Sequence, residues 1–363
     1  MKIGFRVDAA SHIGTGHLTR CLTLANKLQS MGHECIFFSR MFDINLSDRI
    51  AAAQCSLVTL GNTLHVPILS IKSEKDWIGV SLEEDCQDFI KAINYSPIDI
   101  CIVDHYSIDN SWESYVRPLV SSLVVIDDLA NRQHDCDILI DQNYFPDYEN
   151  RYLKLIPNDS LTLLGPKFTL LRDEFIDLRQ QINLPDLNIS KKAKMLINFG
   201  GIGHFELLKK IISVITELPK FEYTLITGFL IPAEANKINE LQNSKNIHLL
   251  NSTTEMAKLM STSQFAIGAS GSTVWERFTL GINSALIEMA DNQKHLLSFL
   301  HQQNLVDSLG NVNQINENDI YQYIKKLDIN SKLYQNRRLH IMNLVDGLGT
   351  IRVSQTILSF FRK

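Results

Sequence analysis

Short apolar runs alternate with helical stretches along most of this chain, and this alternation constrains the fold more than any other feature of the sequence. In the first half, the runs that predict strands are KIGFRV, ECIFFSR, CSLVTL, DICIVDHY, LVVIDD and DILIDQ. Apolar residues recur at helical spacing in LTRCLTLANKLQSMG and EDCQDFIKAINY. Strands that alternate with helices form right-handed βαβ units, so the pattern predicts a parallel sheet covered on both faces.

A second α/β series follows the first. The pattern fades around QNYFPDYENRYLKLIPNDS and resumes at KMLINFGG, ELLKKIISVITELP, FEYTLITG, NIHLLNS, TEMAKLMSTS, QFAIGASGS and SALIEMA. We therefore predict an α/β protein of two Rossmann-like domains, over residues 1–160 and 161–347. A ligand cleft is expected between them, at the carboxyl ends of the strands.

Composition narrows the class of protein. The 363 residues are 45% hydrophobic and 21% charged, which is typical of a soluble protein of about two domains. A net charge of -5 without a basic block argues against nucleic acid binding. Six cysteines without a C-x-x-C pair predict neither a zinc site nor a disulfide framework. No apolar run is long enough to span a bilayer and no signal peptide is indicated, so we expect a cytoplasmic protein.

The first predicted strand runs into a glycine-containing loop, DAASHIGTGH, and a helix is expected to begin near His17. Gly14 and Gly16 stand where the backbone must turn sharply or let a ligand approach closely. Free N–H groups at a helix start favour an anion, and a histidine there suits acid–base chemistry beside a phosphate. A plain turn with a surface histidine explains the stretch equally well, because Gly-x-Gly-His alone is a weak pattern.

A second strand–loop–helix pattern, at GASGSTVWE, gives a sharper signal. Four small residues precede the expected helix: Ser270, Gly271, Ser272 and Thr273. Small residues let backbone N–H groups and hydroxyls surround a phosphate. No lysine follows as in a Walker A loop, so nucleoside triphosphate hydrolysis is not indicated. Glu276 could accept hydrogen bonds from a ribose diol, although glutamate is also common in first turns for dipole reasons alone.

Two further segments follow predicted strands of the second domain. Gly200 and Gly201 end the segment INFGG. They could approach a diphosphate bound at GASGSTVWE, although a plain strand-to-helix turn is equally consistent with them. Asn292 and Gln293 follow a buried strand and supply polar groups at the edge of the expected cleft.

Polar residues also follow the strands of the first domain, namely Asp104, His105, Tyr106, Asp127, Asp128, Arg132, His134 and Asp135. The first three are expected to face the cleft. The pair Asp127 and Asp128 could hold a metal or act in acid–base chemistry, but turn capping explains it at least as well. We interpret both aspartates as structural. The last three residues could likewise be solvent-facing loop residues, and we interpret them as structural too.

Six segments taken together resemble one known family. They are FRVDAASHIGTGHLTRCLTLA, IVDHY, VIDDLANRQHDCDILIDQN, LLGPKFTLLRDEF, GASGSTVWERFTLGI and MADNQ, in order from near the N-terminus to about residue 293. The combination resembles the UDP-2,4-diacetamido-2,4,6-trideoxy-β-L-altropyranose hydrolases of pseudaminic acid biosynthesis. That family is similar in fold to the GT-B glycosyltransferases, particularly the one that adds N-acetylglucosamine during peptidoglycan synthesis. The resemblance implies a GT-B-like fold whose final helix, within 348–363, packs back on the first domain.

The resemblance also implies an activity. Members hydrolyse the UDP-sugar to UDP and 2,4-diacetamido-2,4,6-trideoxy-L-altrose without a metal or cofactor. His17 matches the family's catalytic histidine, which activates water for attack at the anomeric carbon. Tyr106 matches a position near the substrate, and similarity to GT-B enzymes places Glu276 at the ribose and Asn292 and Gln293 near the sugar or phosphate. The expected partner is the UDP-sugar alone, bound by a monomer without a membrane span.

The chain departs from the family pattern in one loop. Many members carry Asp-x-x-Asn after the glycine pair, where this chain reads GGIGHFELL, with Gly203, His204 and Glu206. Two alternative functions stay open: a UDP-sugar-dependent glycosyltransferase of GT-B fold, and a hydrolase of a related UDP-diacetamido sugar. A non-catalytic binding module is disfavoured, because binding alone does not require an imidazole.

Overall fold

The computed structural model describes residues 1–63, 71, 73–182, 192–201, 203–241 and 244–361. The chain divides into two compact units, one formed by Met1–Leu171 with Leu348–Lys363 and the other by Arg172–Gly347. Each unit contains one parallel sheet, which confirms the predicted α/β class with two Rossmann-like domains. The first unit extends to residue 171, beyond the boundary expected at 160, because its last strand follows that point.

The strands of the first unit are β1 Lys2–Val7, β2 Glu34–Ser39, β3 Ser56–Thr59, β4 Ile100–Asp104, β5 Ser122–Ile126, β6 Ile138–Asp141 and β7 Leu161–Leu164. Their order in the sheet is β3-β2-β1-β4-β5-β6-β7, and all pairs are parallel. The strand order reverses between β1 and β4. In doubly wound sheets, ligands bind at the carboxyl edge beside this reversal, so the loops after β1 and β4 are the ones to inspect.

The second unit repeats this topology with its own strands: β8 Lys194–Asn198, β9 Glu222–Ile226, β10 Ile247–Leu250, β11 Phe265–Ala269, β12 Asn283–Glu288 and β13 Asp307–Asn311. Their order is β10-β9-β8-β11-β12-β13, again parallel. Here the order reverses between β8 and β11. The loops after these two strands therefore occupy the corresponding place in the second sheet.

The helices are α1 Gly16–Ser30, α2 Ser47–Ala52, α3 Leu82–Tyr95, α4 Asn110–Val116, α5 Asp173–Gln180, α6 Phe205–Glu217, α7 Pro232–Leu241, α8 Met256–Ser261, α9 Thr273–Thr279, α10 Lys294–Gln302, α11 Glu317–Lys326, α12 Lys332–Leu344 and α13 Gly349–Phe361. Single 3-10 turns span Glu74–Asp76, Arg117–Leu119, Tyr148–Asn150, Pro166–Phe168 and Asp291–Gln293.

Helix α1 carries the residues that follow the first strand, and its packing fixes their position. Its apolar face is buried in the core of the first unit, together with Val353 and Ile357 of α13. The helix ends at Ser30, and Gly32 two residues later has a φ of +88°, which turns the chain out of the last turn without the steric cost of a side chain. The C-terminal helix α13 thus belongs to the same core as the apolar face of α1.

Candidate active site

The loop after β1 leaves open space beside His17. Gly14 has a φ of +80°, and its N–H donates to the Ala10 carbonyl at 2.7 Å, which closes the turn. A Cβ at Gly14 or at Gly16 would meet no atom within 4 Å, so both glycines border open space. His17 itself is only 8% exposed, which excludes the interpretation as a surface histidine.

His17 forms a short hydrogen bond with Asp104 at the end of β4. Nδ1 of the imidazole lies 2.6 Å from Oδ1 of the carboxylate. Burial alone would raise the pKa of Asp104, but Arg20 and His17 hold it well below its ordinary value. An ionised carboxylate can only accept, so the hydrogen of the neutral imidazole sits on Nδ1 and Nε2 is left as an acceptor. Among the described residues, no hydrogen-bond partner of Nε2 is found.

Arg20, one turn further along α1, completes this arrangement. Its Nε donates to Asp104 Oδ2 and its Nη2 to Asp104 Oδ1, both at 2.6 Å, while Nη1 donates to Asp128 Oδ2 at 3.0 Å. Nη2 also lies 3.1 Å from His17 Nδ1, but both atoms carry hydrogens and the shorter contacts to the carboxylate decide the geometry. The guanidinium therefore fixes the carboxylate that orients the imidazole.

Tyr106 and Trp77 form an aromatic wall beside the imidazole. The ring of Tyr106 meets that of His17 edge to face, with centroids 4.5 Å apart, and Trp77 lies 5.3 Å from Tyr106 and 6.2 Å from His17. The Tyr106 hydroxyl donates a hydrogen bond to Asp128 Oδ1. Burial, and then the Asp128 carboxylate, raise the pKa of Tyr106 well above its ordinary value, so the phenol stays neutral. Tyr106 therefore presents a ring, not a charge, to this space.

The second unit gathers the other predicted residues at the carboxyl edge of its own sheet. Gly200 and Gly201 follow β8, and a Cβ at either would meet no atom within 4 Å. Gly200 has a φ of +107°, and its N–H donates to the Asn198 side chain at 3.1 Å. The adjacent strand β11 leads into the other small residues: Ser270, Gly271, Ser272 and Thr273. Both loops flank the reversal of strand order, which is the place where ligands bind in doubly wound sheets.

The remaining predicted residues of the second unit lie close to these loops in the chain. Glu276 is in the first turn of α9, with Oε1 3.6 Å from Nη2 of Arg172. Burial raises the pKa of its carboxyl group. Asn292 and Gln293 lie in the 3-10 turn after β12, where the Gln293 side chain accepts from the Met289 N–H at 3.1 Å. The side chain of Asn292 lies outside the described residues.

The residues interpreted as structural divide into two groups. Asp127 accepts from Arg132 at 2.7 Å and from Tyr152 at 2.9 Å, which supports a structural role. Asp128 contacts both Arg20 and Tyr106 and so belongs to the candidate site. For His134 the structure excludes the solvent-facing alternative and agrees with the structural interpretation.

His134 is buried because acidic side chains surround it. His134 is 3% exposed, and its Nδ1 lies 2.8 Å from Glu113 Oε1. Arg132 is also mostly buried through its bond to Asp127, whereas Asp135 is partly exposed and pairs with Arg117 at 2.7 Å. Turn residues paired with buried carboxylates cannot be distinguished from solvated ones by sequence alone.

The loop that departs from the family pattern is organised by backbone contacts. Gly203 N–H donates to the Phe229 carbonyl at 2.8 Å, and a Cβ at Gly203 would lie 2.4 Å from the Leu230 side chain. His204 precedes α6, and Glu206 pairs with Lys209 at 3.1 Å on the surface. Glycine is therefore required here for packing, whereas Glu206 is an ordinary surface residue.

Metal ligands, membrane-spanning helices and cysteines are the last features of the described residues that bear on function. They contain no group of three or more His, Cys, Asp or Glu side chains placed to hold a metal ion. None of the helices in this part of the chain is both long and apolar enough to cross a membrane. All six cysteines are free thiols, and five of them are buried.

The sequence is similar to two curated proteins, although no family model matches it. The UDP-2,4-diacetamido-2,4,6-trideoxy-beta-L-altropyranose hydrolase of Campylobacter jejuni is 25% identical over 307 residues, which are 83% of this chain and 96% of the relative. An uncharacterised protein of Methanocaldococcus jannaschii is 25% identical over 300 residues, which are 81% of this chain but only 57% of the relative. The resemblance predicted from the six segments is confirmed.

Solved structures of low sequence identity share the fold. MurG of Acinetobacter baumannii superposes with a TM-score of 0.68 at 15% identity, covering 99% of this chain and 100% of its own. The calicheamicin glycosyltransferase CalG4 gives 0.68 at 14%, covering 100% and 98%. The UDP-GlcNAc 2-epimerase of Neisseria meningitidis gives 0.61 at 13%, covering 99% and 100%. The fold is therefore GT-B-like, as the motifs implied.

Proposed function

We propose that this chain hydrolyses UDP-2,4-diacetamido-2,4,6-trideoxy-β-L-altropyranose to UDP and 2,4-diacetamido-2,4,6-trideoxy-L-altrose. The observation that carries the proposal is the His17–Asp104 pair, which leaves Nε2 as an acceptor and follows two glycines that border open space. Similarity to the Campylobacter hydrolase over nearly its whole length supplies the substrate class. The proposal places the protein in the cytoplasm, in pseudaminic acid biosynthesis.

In the proposed reaction, His17 is the general base. Nε2 removes a proton from water as the water oxygen bonds to the anomeric carbon, and the bond from that carbon to the β-phosphate oxygen breaks. Its electron pair leaves with UDP, which is a good leaving group, so the reaction needs no metal. Asp104 holds the Nδ1–H tautomer and stabilises the imidazolium that forms. Histidine suits this role because it exchanges a proton near neutral pH.

The other residues have binding roles in this proposal. Tyr106 and Trp77 offer the sugar's methyl groups an apolar wall next to the attacking water. In the second unit, Gly200, Gly201 and the four small residues after β11 admit the diphosphate, Glu276 accepts from the ribose hydroxyls, and Asn292 and Gln293 contact the sugar or phosphate.

The test is direct incubation with the diacetamido UDP-sugar in the presence of a chelator, with UDP and free sugar followed by NMR. We expect both products from the wild type, and a loss of at least about a hundredfold in kcat for His17→Asn. His33→Asn, the same substitution outside the site, serves as the matched control and should retain activity. In water enriched in oxygen-18, the label should enter the sugar and not the UDP.

Three results would contradict the proposal. Label in the β-phosphate would move the attack from the anomeric carbon to phosphorus. Release of UDP only after an acceptor is added would establish a glycosyltransferase. Turnover of another UDP-diacetamido sugar in preference to this one would keep the chemistry and change the substrate.

A further inference from the structure

A buried arginine in the second unit has no acidic side chain bonded to it. Arg277 is 1% exposed, and in the described chain its Nε and Nη1 atoms have no hydrogen-bond partner. Its Nη2 donates to the Asn198 carbonyl at 3.4 Å and to Thr273 Oγ1 at 3.3 Å. Arg277 forms no ion pair within this part of the chain, and the neighbouring Glu276 pairs with Arg172. This is an unusual state for a guanidinium, because a buried charge is normally paired.

The position of this charge in the fold is specific. Asn198 ends β8 and lies opposite Gly268 of β11, so the guanidinium lies against both strands where their order reverses. Gly268 makes this possible, because a Cβ there would lie 2.0 Å from Arg277 Nη2. The glycine loop and the small-residue loop both leave the sheet at this point. Ser270, at the start of the second loop, adds a buried hydroxyl that also lacks a hydrogen-bond partner among the residues that the structure describes.

We propose that Arg277 is a positioning residue that holds the diphosphate of the UDP-sugar through its charge. The inference rests on the proposed function, because that function supplies the dianionic group. An anion between the two loops compensates a cation whose burial is otherwise unfavourable, and low polarity around Arg277 strengthens the attraction. The same charge stabilises UDP as it leaves. Arg277 thus lowers stability in the ligand-free protein and raises affinity for the diphosphate in the complex.

The test compares Arg277→Gln and Arg277→Lys in the full-length protein, with UDP and uridine as separate probes in calorimetric titrations. We expect Arg277→Gln to weaken UDP binding by at least about tenfold and to leave uridine binding unchanged. Arg277→Lys keeps the charge and should retain most of the UDP affinity. The ligand-free Arg277→Gln protein should melt at a temperature no lower than the wild type, because an uncompensated buried charge is removed.

Arg337 is the matched control in the same unit. It is also nearly buried, but it already pairs with Asp307 at 2.7 Å. Arg337→Gln should lower the melting temperature and leave UDP binding intact. Unchanged UDP affinity in Arg277→Gln, or equal loss for UDP and uridine, would overturn the inference. A wild type that binds no UDP would overturn it as well.

The two proposals fail separately. If UDP binding depends on the charge at position 277 but the diacetamido UDP-sugar is not hydrolysed, the role of Arg277 stands and the proposed function is wrong. If the sugar is hydrolysed and Arg277→Gln binds UDP like the wild type, the proposed function stands and Arg277 has no part in holding the diphosphate.

Discussion

At the scale of single residues, the candidate site depends on one carboxylate shared by two partners. Asp104 accepts from His17 with one oxygen and from Arg20 with both. The buried carboxylate therefore selects the imidazole tautomer that can act as a base, while the arginine keeps the carboxylate ionised and in place. A neutral group of the same shape at position 104 would remove the selection but preserve most of the packing.

Asp104→Asn is expected to lower kcat by about 10²- to 10⁴-fold with a small change in KM, because an amide can donate to Nδ1 and stabilise the wrong tautomer. Steady-state kinetics measure the change in kcat and KM. The assay temperature is kept below the melting temperature of the variant, because Asp104→Asn weakens the partner of the buried Arg20 and lowers stability. Asp88→Asn is the control, because Asp88 pairs with Arg40 and contacts no residue of the candidate site in the described structure. Full activity in Asp104→Asn would show that the tautomer is not selected by Asp104.

The sequence indicated His17 and the glycines beside it through a local strand–loop–helix pattern. It indicated Tyr106 through the end of a predicted strand and through the family resemblance. It did not predict Arg20, Asp128 or Trp77 as parts of the site. Arg20 stands three residues after His17, so helical spacing places both on one face of α1. A charged residue inside an apolar helical stretch was the signal that could have indicated Arg20 as part of the site. Trp77 meets His17 across sixty residues of sequence, and nothing local indicates such a contact.

At the scale of elements, helix α4 is tied to the loop between β5 and β6 by a buried ionic cluster. His134 donates to Glu113 of α4 at 2.8 Å and lies 3.9 Å from Asp127. Burial alone would lower the pKa of His134, but the carboxylates of Asp127 and Glu113 outweigh it and raise the pKa to about 9. Arg132 also faces this cluster through Asp127. The folded protein therefore holds a proton that the unfolded chain releases at lower pH.

This cluster makes stability depend on pH in one direction. Because the pKa of His134 is raised from 6.5 to about 9, its contribution is fully present below pH 6.5 and is lost as pH rises toward 9. We expect the free energy of unfolding to fall through this window by about 3 kcal/mol, and His134→Gln to flatten the fall. Urea titrations of the wild type and of His134→Gln at pH 6, 7.5 and 9 measure the free energy of unfolding. An equal slope in His134→Gln would assign the pH dependence to other groups.

The two strands that the sequence failed to predict, β7 and β13, share a physical character. Strand β13 reads DSLGN, with one large apolar residue, and it pairs at the edge of its sheet where only β12 supports it. Strand β7 is likewise an edge strand, which is why the first domain was expected to end before it. Central strands carry continuous apolar runs because both faces are buried, whereas edge strands need not.

At the scale of the whole molecule, the first unit is built from two distant pieces of chain. Residues 348–363 return to it after the complete second unit, and α13 contributes Val353 and Ile357 to the core that holds α1. Its anchor is specific, since Thr350 donates to the Leu171 carbonyl at 2.7 Å and a Cβ at Gly349 would lie 2.3 Å from the Thr169 carbonyl. The helix that carries His17 thus depends on the last residues of the chain.

Ile357→Ala should therefore destabilise the first unit and leave the second unchanged. Ile357 is 1% exposed, and removing a buried isoleucine side chain costs about 2–5 kcal/mol. Differential scanning calorimetry should show one transition lowered by several degrees and the other unmoved. Leu348→Ala, at a position 38% exposed, is the control and should melt like the wild type. At low temperature, kcat should be unchanged, because α13 acts through the packing of α1. A lowered kcat with an unchanged melting temperature would contradict this role.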